Sequence, residues 1–235
     1  MRLLLTRPRS EAAAMAERLG TLGHECLIEP LLEIVPTGME LTRIYRYQAV
    51  LVTSGNAADA LAAATRERDV LLLAVGSGTA ARLAAHGFTE VVHADGNASA
   101  LADLVRDRLV PDDGALLYAA GANVSGDLQG MLTRAGYSVD RAVLYRAEPA
   151  SSLSPETRAA LSEGRIDGIL LMSARSAAVL GGLVRDAGLA MSLASTTAYC
   201  ISAAVAAAAA ALPWRDVAVA ARPRAEDVLA LLPHP

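Results

Sequence analysis

Short aliphatic runs alternate with longer stretches of helical spacing along the whole chain. "RLLL", "ECLIE", "AVLV", "LLLAV", "EVVHA", "ALLYA", "SVDRAVLY", "GILLM", "AYCI" and "DVAVA" read as strands. Segments between them, such as "RSEAAAMAERLGTLG" and "ASALADLVRDRL", carry apolar residues at helical spacing. This alternation predicts parallel sheets covered by helices. Strands buried on both faces should be continuous apolar runs, and these are.

The pattern is written twice. "VLVTSGNAADAL" (50–61) and "ILLMSARSAAVL" (169–180) match position by position: Ser54 with Ser173, Asn56 with Arg175, Leu61 with Leu180. They form the second of four repeated units. The first pairs "LLLT…LGHECLIE" with "ALLYAAGANVSGDLQGMLTRAGYSVDRAVLY", and Gly23 and Gly136 are placed to end its helices in the left-handed conformation. The third pairs "LAVGSGTAARLAAHG" with "YCISAAVAAAAAAL", and the fourth "VVHADGNASALADLV" with "VAVAARPRAEDVLALL". The units run one to four, then one to four again. Two divisions fit that order. Either two domains follow one another, or the N-terminal unit joins the last three and a middle domain is inserted. The second division needs two crossing segments, "EPLLEIVP" (29–36) and "AVLYRAEPASSLSP" (142–155), both extended and punctuated by Pro.

Composition narrows the function. A chain of 235 residues suits one large domain or two small ones. Apolar residues make up 53% and aromatics 3%, so the core must be mostly aliphatic. A net charge of −4 argues against a general nucleic-acid binder. Every basic residue is Arg, which excludes Schiff-base and P-loop lysine chemistry. Any side-chain cation that grips an anion is therefore a guanidinium. Cys26 and Cys200 lie in apolar runs without a CxxC, the pattern of buried thiols in a reducing compartment. His24, His86, His93 and His234 lack metal-ligand spacing. The Ala-rich "AAVAAAAAALP" stops short of the ~18 residues of a membrane span. The apolar run in "MRLLLTRPRS" is too short for a secretory leader, so a cytoplasmic protein is expected.

Candidate chemistry gathers where strands give way to helices, the edge at which doubly wound sheets bind ligands. The residues there are Arg7; Thr53, Ser54 and Asn56; Ser77, Gly78 and Thr79; Gly96, Asn97 and Ser99; Gly121 and Asn123; Ser173 and Arg175; Ser202; and Arg222 and Arg224. Hydroxyls, amides and guanidinium groups dominate and acids are few, which fits an anion held at helix N-termini. Taken singly, each Ser, Thr or Asn also reads as an N-cap, and Arg7 as half of an ion pair. "VGSGTA" is a GxGxxA match with Asp95 at ribose-contact distance in sequence, so a nucleotide-dependent Rossmann-type enzyme stays open. So does a two-lobed protein that binds a small anion without catalysis.

The chain resembles uroporphyrinogen-III synthase in "LLLTRP", "EPLLEIVP", "AVLVTSGNAADAL", "LLLAVGSGTAARLAAHGF", "LLYAAGANVSGDL", "GYSVDRAVLYRAEP", "DGILLMSARSA", "AYCISAAVAAAA" and "WRDVAVAARPRAEDVLALL". The resemblance implies two flavodoxin-like α/β domains, the first discontinuous, joined by a two-strand β linker with the active site in the cleft. Domain 1 would hold 1–32 and 166–235, and domain 2 would hold 33–165. It implies a hydro-lyase that closes hydroxymethylbilane, a polycarboxylate tetrapyrrole, to uroporphyrinogen III with ring D inverted through a spiro intermediate. No cofactor, metal, nucleic acid or membrane is implied, and a monomer is expected. The strand-end residues Arg7 to Ser202 become substrate contacts. The family's acid candidate maps to Tyr145 in "VLYRAEP". A phenol is protonated at neutral pH and could donate to the departing hydroxyl. Two departures stand out: "CISAAVA" replaces a Gly-Pro-x-Thr-Ala pattern, leaving only Ser202 as a side-chain contact, and Gln48 stands where an acid commonly precedes the strand.

Overall fold

A computed structural model describes residues 1–94, 96–124 and 126–233. Within them the chain divides into two compact units: Met1–Glu33 with Glu148–Pro235, and Ile34–Ala147. Each is built on its own sheet.

The first unit carries β1 (Arg2–Leu5), α1 (Arg9–Thr21), β2 (Glu25–Ile28), α6 (Pro155–Ser162), β9 (Gly168–Leu171), α7 (Ala174–Asp186), β10 (Thr197–Cys200), α8 (Ala203–Ala209), β11 (Asp216–Val219) and α9 (Ala225–Leu229). Its sheet has the order β11-β10-β9-β1-β2, and every pairing is parallel. Counted within the unit, this is the 2-1-3-4-5 order of a flavodoxin-like sheet. Winding reverses between β1 and β9, and the crevice at the carboxyl ends of that pair is the switch point.

The second unit carries β3 (Leu32–Pro36), β4 (Ala49–Val52), α2 (Gly55–Ala64), β5 (Leu72–Ala74), α3 (Ser77–Ala85), β6 (Val91–His93), α4 (Ala98–Arg108), β7 (Leu116–Gly121), α5 (Leu128–Arg134) and β8 (Val139–Pro149). Its order is β3-β8-β7-β4-β5-β6. Counted within the unit, the strands from β6 to β8 run 3-2-1-4-5, which becomes the flavodoxin-like order only by circular permutation, with β7 and β8 in the places that β1 and β2 hold in the first sheet; the switch point lies between β4 and β7. The chain passes between the units along β3 and the far end of β8, the two linker strands. The twin stretches 50–61 and 169–180 thus hold equivalent places in space: each begins on a strand beside its unit's switch point, β4 next to β7 and β9 next to β1.

Burial follows the strand period. In the first sheet Leu4, Ile169, Leu171, Ala198 and Cys200 join one cluster, and Leu3, Leu5, Leu170 and Tyr199 the other. In the second, Val50, Val52, Leu117 and Ala119 face one side and Ala49, Leu51, Leu116, Tyr118 and Ala120 the opposite side. Both expected glycine caps form. Gly23 and Gly136 have φ of 77° and 92°. His24 and Tyr137 donate back to the carbonyls of Leu19 and Leu132, closing each helix as a Schellman turn.

One boundary differs from expectation. Residues 148–165, assigned above to the inserted domain, belong to the first unit. Leu153, Ala160, Leu161 and Ile166 pack with Ile169 and Leu171. The buried Glu29 accepts from the Ser154 amide at 3.1 Å and from the hydroxyls of Ser154 and Thr157, tying the start of α6 to the end of β2. These contacts span more than a hundred residues of sequence, so local pattern does not disclose them. Gln48 has a role an acid could not fill, since its amide donates to the carbonyls of Val110 and Gly114.

Candidate active site

At the second unit's switch point, Thr53 and Ser54 leave β4 beside Gly121 at the end of β7. Ser54 caps α2 through a hydrogen bond from the Ala57 amide at 3.1 Å. The same Oγ lies 3.1 Å from the Tyr145 hydroxyl. Its neighbour Thr53 has Oγ1 3.1 Å from the hydroxyl of Tyr118. Tyr118 and Tyr145 belong to the clusters on opposite faces of the sheet, so consecutive hydroxyls serve two phenols.

Tyr145 owes its placement to a β-bulge. The register of β7 and β8 runs Ala119 with Ala142 and Ala120 with Val143, then shifts so that Gly121 opposes Tyr145. Leu144 is passed over. Strict alternation would send Leu144 and Tyr145 to opposite faces, yet both pack in one cluster. The bulge is held by Arg141, whose Nη2 donates to the carbonyls of Gly121 at 2.6 Å and Ala122 at 2.9 Å. It also depends on Gly121: a Cβ there would stand 2.6 Å from Tyr145 Cζ and 3.0 Å from its hydroxyl. The phenol is 9% exposed, with its ring in an apolar cluster and its hydroxyl beside a helix N-terminus.

The other candidates of this unit follow the same sheet edge. Asn56 is half-buried in the first turn of α2. Ser77 and Gly78 are exposed at the start of α3, and Thr79 is buried. Asn97 caps α4, accepting from the amides of Ser99 and Ala100 at 3.0 and 3.2 Å. Gly96, Ser99 and Asn123 are exposed. A Cβ on Gly78 would meet nothing within 4 Å, so its side is open. Asp95 and His234 lie outside the described residues.

In the first unit, Thr6 Oγ1 donates to the Leu170 carbonyl at 2.7 Å across the β1–β9 switch point. Arg7 pairs with Glu11 one turn along, the ion pair that its sequence position allowed. Ser173 caps α7, accepting from the Ser176 amide at 3.0 Å, and its Oγ lies 2.8 Å from the Ser176 hydroxyl. Arg175 is exposed on the first turn of α7. Ser202 precedes α8 with its side chain not used as a cap. Arg222 pairs with Asp227 at 2.9 Å.

Sequence reading missed three groups in the second unit: Arg141, Tyr118 and the Asp59 cluster. Asp59 accepts from Arg82 Nε at 2.6 Å and lies 2.8 Å from His86 Nε2. Burial raises the Asp59 carboxyl, but the hydrogen bonds from Arg82 and His86 outweigh it and hold the carboxyl below its usual value. Burial pushes both thiols up, that of Cys200 to about 11, which leaves them weak nucleophiles. Among the described residues no group of three or more His, Cys, Asp or Glu converges as a metal site. No described helix is long and apolar enough to cross a membrane.

The family model described as uroporphyrinogen-III synthase HemD matches residues 13–230. Among solved structures, a uroporphyrinogen-III synthetase from Helicobacter pylori aligns with a TM-score of 0.67 at 18% identity, covering 98% of each chain. A mutant uroporphyrinogen III synthase from the extreme thermophile Thermus thermophilus aligns with a TM-score of 0.52 at 21% identity, over 98% of this chain and 96% of that one. At these identities the solved structures speak for the fold. No curated protein sequence is matched.

Proposed function

The chain belongs to the uroporphyrinogen-III synthase family, and from that premise we propose that Tyr145 is the proton donor of its reaction. The enzyme is a hydro-lyase of tetrapyrrole biosynthesis that closes hydroxymethylbilane to uroporphyrinogen III. The observation that carries the proposal is the bulge at Gly121, which turns a phenol out of strand alternation and sets its hydroxyl at a switch-point helix N-terminus.

The reaction begins with loss of the terminal hydroxyl. The C–O bond breaks with its electron pair going to oxygen, and the Tyr145 proton completes the water. The substrate is left as a cation conjugated to its pyrrole, beside a phenolate. The substituted carbon of ring D attacks, and the spiro intermediate fragments and recloses with that ring inverted. The proton released as the closing ring becomes aromatic again returns to the phenolate, so the protein ends unchanged. Spontaneous closure gives the uninverted isomer, so much of the enzyme's work is to hold one folded conformer.

The substrate's carboxylates are assigned to the strand-end groups: Thr53, Asn56, Ser77, Gly78, Thr79, Gly96, Asn97, Ser99, Gly121 and Asn123 in the second unit, and Arg7, Ser173, Arg175 and Ser202 in the first. Free amides in the first turns of α2, α3, α4 and α7 supply donors suited to anions. Arg7 would have to share its guanidinium with Glu11. The chemistry calls on no cofactor, and we place the protein in the cytoplasm as a monomer.

The test supplies freshly made hydroxymethylbilane and resolves the uroporphyrin isomers after oxidation. The inverted isomer, formed faster than spontaneous closure, is expected. Only the uninverted isomer at the spontaneous rate would contradict the reading. Sedimentation at assay concentration tests the monomer, which a dimer mass would overturn.

A further inference from the structure

Ser54, which the sequence offers as a substrate contact, is engaged on two sides. Its Oγ accepts the Ala57 amide at 3.1 Å and lies 3.1 Å from the Tyr145 hydroxyl. A serine hydroxyl has one proton and two lone pairs. The amide occupies one lone pair, so the proton is available to Tyr145. In the resting site either hydroxyl could donate to the other. Once Tyr145 has given its proton away, only Ser54 can donate, because a phenolate has no proton left.

We propose that Ser54 is a positioning residue for Tyr145, donating its hydroxyl proton to the phenolic oxygen and holding the phenolate as water leaves. The proposal rests on the reading of Tyr145 as proton donor. With Ser54 donating, the Tyr145 proton is directed away from Ser54 and toward the substrate. The Ala57 amide bond polarises the serine and strengthens its donation. The positive end of α2 adds to the stabilisation of the developing charge. β8 itself carries Asp140, Arg141, Arg146 and Glu148, of which Asp140 accepts from the Tyr47 hydroxyl. Arg141 on β8 is committed to two backbone carbonyls. Asp59 on α2 is held by Arg82 and His86 of α3. β4 and β7 carry no charged residue. Ser173, the twin of Ser54, has a serine rather than a phenol at this place, so the cap alone does not require such a partner.

The test compares Ser54→Ala and Ser54→Thr in the full chain. Two quantities are read: kcat and KM with hydroxymethylbilane, and the ultraviolet titration of Tyr145, taken as the difference between each protein and its own Tyr145→Phe counterpart. Loss of a hydrogen bond to a charged oxygen should lower kcat about tenfold in Ser54→Ala, with KM within about twofold. It should also move the Tyr145 titration alkaline by about one pH unit, since the phenolate loses its donor. Ser54→Thr keeps both hydroxyl and cap, and should restore both values; it also serves as the folded control if Ser54→Ala proves unstable. A Tyr145 titration unmoved in Ser54→Ala, or in Ser54→Thr equal to a shifted Ser54→Ala, would overturn the proposal. A rise in KM with kcat unchanged would return Ser54 to substrate binding and overturn it too. Failure of the proton-donor reading looks different: Tyr145→Phe would then turn over at the wild-type rate, whatever the titrations show.

Discussion

Ser54 and Ser173 hold the same place in two sheets. Each follows a strand beside its unit's switch point, each precedes a long helix, and each caps it through the amide three residues on. They part at the second partner. Ser173 meets Ser176 within its own helix, so its bonding is complete inside one turn. Ser54 meets a phenol ninety-one residues away, brought there by a bulge in a neighbouring strand. The comparison separates scaffold from chemistry. A repeated strand–turn–helix supplies capped helices in both units, and one unit adds a phenol, the proton donor we propose, through a change in strand register.

The sharpest way to break this comparison uses two glycines, each pressed against a tyrosine ring. A Cβ at Gly121 would stand 2.6 Å from Tyr145, and one at Gly168 would stand 2.5 Å from Tyr199. Tyr145 is placed by the bulge, whereas Tyr199 lies in an aliphatic core. Gly121→Ala should therefore cost kcat about 10²-fold by displacing the phenol. Gly168→Ala should lower stability by about 1–3 kcal/mol and leave kcat per folded molecule near wild type. Denaturant melts beside initial rates decide, and equal losses of kcat in both would erase the distinction.

A milder contrast lies in the capping serine of the first unit. Ser173→Ala should cost about 1 kcal/mol of stability for the lost cap. On our assignment of Ser173 to substrate binding, the same change should raise KM severalfold and leave kcat within about twofold. A fall in kcat without a change in KM would put chemistry in the first unit as well.

The smallest expected effect concerns acid. The Asp59 carboxyl sits below its usual value in the fold, so it contributes stability at neutral pH. That contribution is lost as pH falls below the ordinary carboxylate range, from about 4 downward through the lower folded value. The pair is partly exposed, and solvent and salt keep its worth below about 1 kcal/mol. Asp59→Asn should narrow the stability difference between pH 7 and strong acid, as followed by urea midpoints. An unchanged difference would remove Asp59 from the account.

Much of the fold could be read from local pattern. The apolar runs are strands, the unit order matches the sheets, and Gly23 and Gly136 close their helices with positive φ. The capping roles of Ser54, Asn97 and Ser173 also follow from single positions. What escaped is non-local. The bulge depends on how β8 meets β7, and "VLY" alone does not reveal that Leu144 and Tyr145 share a face. Arg141 looks like a solvent residue of β8 until its carbonyl partners at the end of β7 are known. The boundary missed at 165 depends on Glu29 reaching Ser154 and Thr157. The Asp59 cluster joins two helices whose separate spacings are unremarkable.

The central claim is that the bulged phenol gives the proton while the rest of the site folds the substrate. The most direct test is the rate and isomer composition of product from hydroxymethylbilane with Tyr145→Phe. The account predicts a fall in kcat of about 10²-fold, with KM held and the inverted isomer still the enzymatic product. An unchanged rate would contradict it.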